Sequence, residues 1–363
     1  MTEAGPATRA LHNLLQYGDL SFRDFVEIAL YHPEVGYYSQ PSSPVGKEGD
    51  YVTSPSLSPV FSFAISRLIS EFVARAEGAV CSFVDIGCGD GSLVRALSAN
   101  TDAKIRWWGV DRSLERVGQA PSPVRFGRSL LDVPRDGVHL LFSNELFDAI
   151  PFARLVMRGR ELHELWVNSE LDWIEHEAPE GYDDYFASHG ITLEDGQFAD
   201  VALDWEPFYR DIASFSEHAL IVTLDYGYRA RQLFHPRVRR FGTAASYTRQ
   251  RVTRDLLTNP GGQDLTAHVN FDDLIRAGEE IGASTLLFDR QARFLLSLGI
   301  TEHPLFASVE SVESLESALA LREAREEARR LVLPDGIGEE IRVLVQARGV
   351  PVEGWSFQRN IIP

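Results

Sequence analysis

The stretch Val84-Asp85-Ile86-Gly87-Cys88-Gly89-Asp90-Gly91-Ser92-Leu93-Val94 decides the fold of this chain. An apolar run, Cys81–Gly87, reads as a buried strand, and the segment 91–99 reads as an amphipathic helix. Three alternating glycines join the two. Such a turn lets backbone approach a ligand closely and aims helix N-terminal N–H groups at polar or anionic atoms. Dinucleotide folds seat a pyrophosphate on G-x-G-x-x-G, whereas here the spacing is G-x-G-x-G with an acid, Asp85, two residues before the first glycine. This pattern suits S-adenosylmethionine, which has no pyrophosphate and whose amino group an acid can hold. Asp85, Gly87, Gly89 and Gly91 are therefore expected to bind that cofactor.

Outward from the loop, Arg106–Asp111 reads as the second strand, and Asp111 at its end is placed to bind both ribose hydroxyls. Further strands are predicted at Val124–Ser129, Val138–Asn144, Ala219–Tyr226, Thr285–Asp289 and Ile341–Ala347, with helices at 61–77, 271–281 and 309–331. The alternation predicts an α/β fold with a parallel sheet covered by helices on both faces. After the fourth strand the rhythm breaks. Arg154–Arg158 and Leu162–Val167 flank a turn at Gly159-Arg160, and Leu171–His176 adds another antiparallel candidate. Residues 152–215 thus read as an insertion into a core formed by 61–151 and 216–363. Residues 1–60 hold a helix at 21–31, N-capped by Ser21, and then many prolines and glycines, which reads as a cap or lid.

At the carboxyl end of the fourth strand stands Asn144-Glu145-Leu146-Phe147-Asp148-Ala149-Ile150-Pro151. Ligands bind at that edge in open α/β sheets. Asn144 is expected to face the cofactor, and Glu145 and Asp148, three apart, to lie on one face of a helical turn. Two such carboxylates can hold an amine or guanidinium by charge-assisted hydrogen bonds and accept its proton. His268 is an alternative base, because histidine titrates near neutrality. Asp225 and Tyr226, with Asp50 and Thr53 of the lid, are expected to line the substrate cavity.

The chain of 363 residues has 35 basic and 53 acidic residues, a net charge of −18, which argues against whole-surface attraction to nucleic acid or anionic lipid. Only two of its basic residues, Lys47 and Lys104, are lysines. Glu161–Asp211 holds fifteen acids and one base, Arg210, while Arg229–Arg254 holds eight arginines and no acid. The acidic stretch reads as a solvated face or as a surface that attracts an arginine-bearing peptide, and the basic stretch would favour an acidic partner or surface. Two cysteines, Cys81 and Cys88, form neither a disulfide framework nor a zinc motif, so a reducing, cytoplasmic location and no metal are expected. No apolar run approaches the ~20 residues of a membrane span.

Several blocks resemble one family in order along nearly the whole chain. They are Tyr31-His32-Pro33-Glu34-Val35-Gly36-Tyr37-Tyr38, Gly49-Asp50-Tyr51-Val52-Thr53-Ser54-Pro55, Asn144–Pro151, Asp225-Tyr226-Gly227 and Asp264-Leu265-Thr266-Ala267-His268-Val269-Asn270-Phe271. They look like the signature blocks of the MidA-like methyltransferases, the family of the mitochondrial complex I assembly arginine methyltransferase. The resemblance implies a Rossmann-like class I methyltransferase with a mostly parallel seven-stranded sheet, S-adenosyl-L-methionine as cofactor and arginine side chains of a protein as acceptor. The family loop usually reads Glu-Leu-Gly-Pro-Gly-x-Gly, and this chain has Asp85-Ile86-Gly87-Cys88-Gly89-Asp90-Gly91. Alternative readings are a small-molecule O- or N-methyltransferase, a non-catalytic cofactor-binding assembly factor, and a nicotinamide oxidoreductase, which the glycine spacing disfavours.

Overall fold

The computed structural model describes residues 6–40, 59–101, 104–117, 123–248, 251–307 and 315–359. Its centre is a mixed sheet of strands β1 (Cys81–Ile86), β2 (Arg106–Val110), β3 (Val124–Gly127), β4 (Val138–Asn144), β5 (Ala219–Tyr228), β6 (Ser284–Arg290) and β7 (Ile341–Arg348). Across the sheet they run β6-β7-β5-β4-β1-β2-β3, and the two-residue strand Val269–Asn270 joins β5 as an eighth member. Strands β3, β2, β1, β4 and β5 pair in parallel, and β7 is antiparallel to both β5 and β6.

The alternation of side chains along each strand explains why both faces are covered. On β4, Leu140 and Phe142 enter one core and Leu141 the other; on β5, Leu220, Val222 and Leu224 oppose Ala219 and Ile221. A strand with two apolar faces is stable only between two helical layers. The helix Pro59–Arg75 covers one face, burying Val60, Phe61, Ala64, Ile65, Leu68, Ile69 and Phe72 at helical spacing. Helices Trp205–Ser214 and Phe271–Glu280 cover the other, with Trp205, Tyr209, Phe271 and Leu274 in its core.

The N-terminal helix Phe22–Tyr31 begins where Ser21 Oγ accepts the Asp24 N–H. The preceding Leu20–Ser21 pairs antiparallel with Trp166 and Val167 of the strand Glu161–Val167. The N-terminal segment and the insertion thus share one five-stranded sheet, completed by Ala153–Arg158, Trp173–Glu177 and Phe198–Val201. Phe22 packs edge-on against Phe152 at 5.6 Å and against Trp173 at 4.8 Å. The segment then crosses the carboxyl edge of the central sheet. Tyr31 donates to the Ala149 carbonyl, Tyr38 to Asp264, and Arg116 to the Tyr37 carbonyl. A third sheet, of three strands, Ala245–Thr248, Arg251–Thr253 and Asp264–Thr266, flanks the same edge. Among the described residues no helix is long and apolar enough to cross a membrane.

Candidate active site

The glycine turn leaves β1 with Gly87, Gly89 and Gly91 all in the left-handed region, at φ 75°, 57° and 76°. L-residues pay about 1–2 kcal/mol there, which is why the turn needs glycine. Gly87 and Cys88 donate to the Val110 carbonyl, and Gly89 donates to Asp111 Oδ2 at 2.9 Å. Asp111 also accepts the Ser113 N–H on Oδ1, so its carboxylate is fixed at the end of β2. Burial nonetheless pushes it above the usual carboxylate range, against the pull of those two donors. A Cβ on Gly91 would come within 2.6 Å of the Phe126 ring, whereas one on Gly89 would meet nothing within 4 Å. The space over Gly89 is the open side of the loop.

Asp85 is buried at the end of β1 and receives no hydrogen bond from a described residue. Burial, with the charges of Asp111 and Asp90, raises its carboxyl to about 8. Asn144, one strand away, gives its amide N–H to Glu145 Oε1 at 2.9 Å and leaves a buried Oδ1 without a partner. The Trp108 indole N–H is likewise buried and unpaired. An open glycine turn, a fixed acid at the end of β2 and two buried acceptors at the same edge fit S-adenosylmethionine. Asp111 would hold the ribose, and Asp85 and Asn144 the amino group.

The segment after Asn144 departs from expectation, because residues 145–150 form irregular turns and not a helical turn. Glu145 sits at φ 53°, a conformation rare for a residue with a side chain. The cause is Asp225 on β5. Its Oδ2 accepts the N–H groups of Leu146 at 3.1 Å and Phe147 at 2.7 Å, and Glu145 N–H donates to the Leu224 carbonyl. A side-chain anchor thus replaces the helical hydrogen bonds. Asp225, expected as a cavity-lining residue, is fully buried beneath the turn.

The turn brings Glu145 and Asp148 into one electrostatic cluster with Asp225 and Asp264. Burial first, then Asp225, Glu145 and Asp264, pushes the Asp148 carboxyl well above the usual range. Asp225 is raised by the same burial and by Glu145. Half-buried Tyr226 and Tyr247 face the cluster, and their hydroxyls are pushed up by burial and then, first among charges, by Glu145 and by Asp148 respectively. Asp264 and Tyr247 were not singled out by the sequence. The signal for Asp264 is its place in the same block as His268.

His268 is not a neutral-range base in this setting. Its ring lies between Tyr226, nearly parallel at 6.1 Å, and Tyr228 at 5.7 Å. Burial and the guanidinium groups of Arg239 and Arg342 lower it to about 4. Asp50 and Thr53 lie outside the described residues. A separate cavity of about 490 Å³, lined by Leu171, Trp173 and the loop 254–260, shares no residue with this edge.

Known proteins align with this architecture. A crystal structure from Burkholderia thailandensis with S-adenosyl-homocysteine bound superposes with a TM-score of 0.82 at 24% identity, over 98% of this chain and 97% of that one. A second structure from the same organism gives 0.79 at 25% identity, over 99% and 97% of the two chains. The fold is that of class I methyltransferases. "Protein arginine methyltransferase NDUFAF7, mitochondrial" is 24% identical in Danio rerio, over 79% of this chain and 75% of the relative, and 24% identical in Homo sapiens, over 81% and 74%. The family model of S-adenosyl-L-methionine-dependent methyltransferases matches residues 74–288, more than half of the sequence. With its glycine turn, Asp111 and paired carboxylates at the strand edge, the chain belongs to this methyltransferase family and uses S-adenosyl-L-methionine as its cofactor.

Proposed function

We propose that the acceptor is an arginine side chain of a protein, held by Glu145 and Asp148. The observation that carries this reading is the clustering of Glu145, Asp148, Asp225 and Asp264 where β4 and β5 end, beside the glycine turn. Carboxylates buried together raise one another's proton affinity, and an incoming cation relieves that cost. A guanidinium is planar, remains cationic at physiological pH and matches paired carboxylates in geometry. Relatives named as protein arginine methyltransferases support the same acceptor.

The chemistry needs no covalent residue. S-adenosylmethionine, when bound, supplies a methyl group on a positively charged sulfur. Glu145 is held in its left-handed conformation by the Asp225 anchor and presents its carboxylate at a fixed point, which saves the orientational cost of attack. Asp148, whose proton affinity is raised, takes up the proton that the guanidinium nitrogen releases as it is methylated. The Tyr31 and Tyr38 hydrogen bonds to Ala149 and Asp264 lay the N-terminal segment across this edge and reduce access of water. Two free, buried cysteines fit a reducing compartment such as the cytoplasm.

Transfer of tritiated methyl groups into a lysate, followed by hydrolysis of the labelled protein, tests the acceptor. Methylarginine is the expected product. Label confined to small molecules would overturn the proposal.

A further inference from the structure

We infer that Arg239, Arg342 and His268 form a carboxylate-binding subsite, which takes an acidic side chain flanking the acceptor arginine. The inference rests on the arginine reading above and assigns a sequence preference to it. The guanidinium carbons of Arg239 and Arg342 stand 3.7 and 4.9 Å from the centroid of one ring, Tyr228. Among the described residues both donate only to backbone carbonyls, Arg239 to Gln232 at 2.8 Å and Arg342 to Glu339 at 2.7 Å, with the Glu340 and Ile341 carbonyls at 3.4 Å. Neither makes an ion pair with a carboxylate of the described residues, in a chain with 53 acids to 35 bases. Neighbouring Arg229, Arg240 and Arg290, by contrast, pair with Asp272, Glu194 and Glu339.

Both guanidinium groups are half-buried, and burial, with Arg290 and Arg239, pushes Arg342 downward against the opposing pull of Tyr228 and of the Glu339 carboxylate, which is itself paired with Arg290. Two like charges on one ring repel each other, and an anion between them would relieve that repulsion while replacing lost hydration. Between them and the acid cluster stands His268, whose Nδ1 is buried without a hydrogen-bond partner. A neutral ring there adds a donor to an incoming carboxylate if Nδ1 carries the proton.

Topology decides which carboxylate. Arg342 is the second residue of β7, opposite Asp225 on β5, and the strand order from the glycine turn is β1-β4-β5-β7. At ~4.8 Å per strand, the subsite lies about 14 Å from the turn, on the far side of Glu145. The cofactor's own carboxylate belongs near the turn, so the anion comes with the acceptor. The cleft is consequently bipolar, with acids for the arginine and, one ring stack away, arginines for an acid.

The test uses the full chain and a set of synthetic peptides with one arginine and either Glu or Gln at each flanking position. Peptide affinity is measured by calorimetry in the presence of S-adenosyl-homocysteine, and methyl transfer is measured separately with tritiated cofactor. Glu peptides at one or more positions should bind about tenfold more tightly than their Gln partners, the scale of a charge-assisted pair. Arg239→Gln and Arg342→Gln should abolish that preference through KM with kcat changed less than about twofold, while S-adenosyl-homocysteine affinity and melting temperature are retained. Equal affinity for Glu and Gln peptides at every position overturns the subsite. Weakened S-adenosyl-homocysteine binding in the two variants also overturns it, because the anion would then be the cofactor's. Glu-dependent affinity without any methylated arginine sinks the arginine acceptor and supports the carboxylate subsite.

Discussion

Replacing Asp85 by Asn should remove a proton that the protein releases when it binds its cofactor. In the free protein the Asp85 carboxyl is raised to about 8, because it is buried and faces Asp111 and Asp90. At pH 7 it is therefore about 0.9 protonated. If it meets the cofactor's ammonium group as a carboxylate, binding at pH 7 releases about 0.9 proton and at pH 9 only about 0.1. Apparent affinity should accordingly tighten about tenfold per pH unit up to about 8 and then level off. Asp85→Asn forfeits a hydrogen bond to a charged group, about 1.5–3 kcal/mol, or roughly ten- to 150-fold in affinity at pH 9. At pH 6 the wild-type protein has lost about a hundredfold of its own affinity to protonation, so the two proteins should bind almost equally. The same shift acts on the free fold with the opposite sense. An acid whose folded pKa is raised binds more protons folded than unfolded, so its contribution to stability falls as pH rises from ~4 through ~8. Titrating S-adenosyl-homocysteine into both proteins in buffers of different ionisation enthalpy reads the released protons directly. Buffer-independent heats at pH 7, or equal release from wild type and Asp85→Asn, would refute the assignment of Asp85.

Gly89→Val should abolish cofactor binding, since φ 57° excludes a β-branched residue and its Cβ would project into the open side of the loop; unchanged affinity by calorimetry would sink the assignment of that loop. Glu145→Gln should lower kcat by roughly 10²–10⁴ while S-adenosyl-homocysteine affinity stays within about twofold, and unimpaired turnover would remove Glu145 from the chemistry. Asp225→Ala leaves the Leu146 and Phe147 N–H groups without their acceptor and should cost about 2–4 kcal/mol in urea unfolding. A loss below about 0.5 kcal/mol would mean that other contacts hold the turn.

What could be read from the residues and what could not divide along a physical line. The strand Val138–Asn144 and the cap at Ser21 are legible because their signals are local: a continuous apolar run between turn residues, and a hydroxyl before an apolar period. The hairpin Ala153–Arg158 and Glu161–Val167 is legible for the same reason, through its glycine turn. The seven-residue helices Tyr182–Ser188 and Gln291–Ser297 and the four-residue strand Phe198–Val201 are too short to show a period. The pairing of Leu20–Ser21 with Trp166 and Val167 has no local signature, since two residues carry no alternation. The conformation of Glu145 belongs to a third kind. Its i, i+3 spacing with Asp148 suits a helical turn, and what overrides it is an acceptor on Asp225, eighty positions further along the chain.

The same distinction reinterprets the charge. The acidic stretch Glu161–Asp211 looks, as sequence, like a solvated face or a lure for a basic peptide. In the fold several of its members are consumed at home: Asp200 holds Arg154 at 2.6 Å and the Thr243 and Ala244 N–H groups, Asp204 holds Arg23, and Glu206 holds Arg210 and Arg276. The acids that bear on the proposed acceptor lie elsewhere, at Glu145, Asp148, Asp225 and Asp264, and contribute little to any count along the chain. Asp85, Asp148 and Asp225 are raised by burial, and for Asp85 and Asp225, raised to about 8, a substantial part of the charge is withheld near neutrality. An arriving cation draws that charge out by lowering their proton affinity. Selection by such a cleft depends on burying a cation beside groups that ionise only in its presence, and therefore on close fit more than on long-range attraction. A corollary is that added salt, which screens exposed charges over about 10 Å, should weaken acceptor binding less than the chain's net charge of −18 suggests.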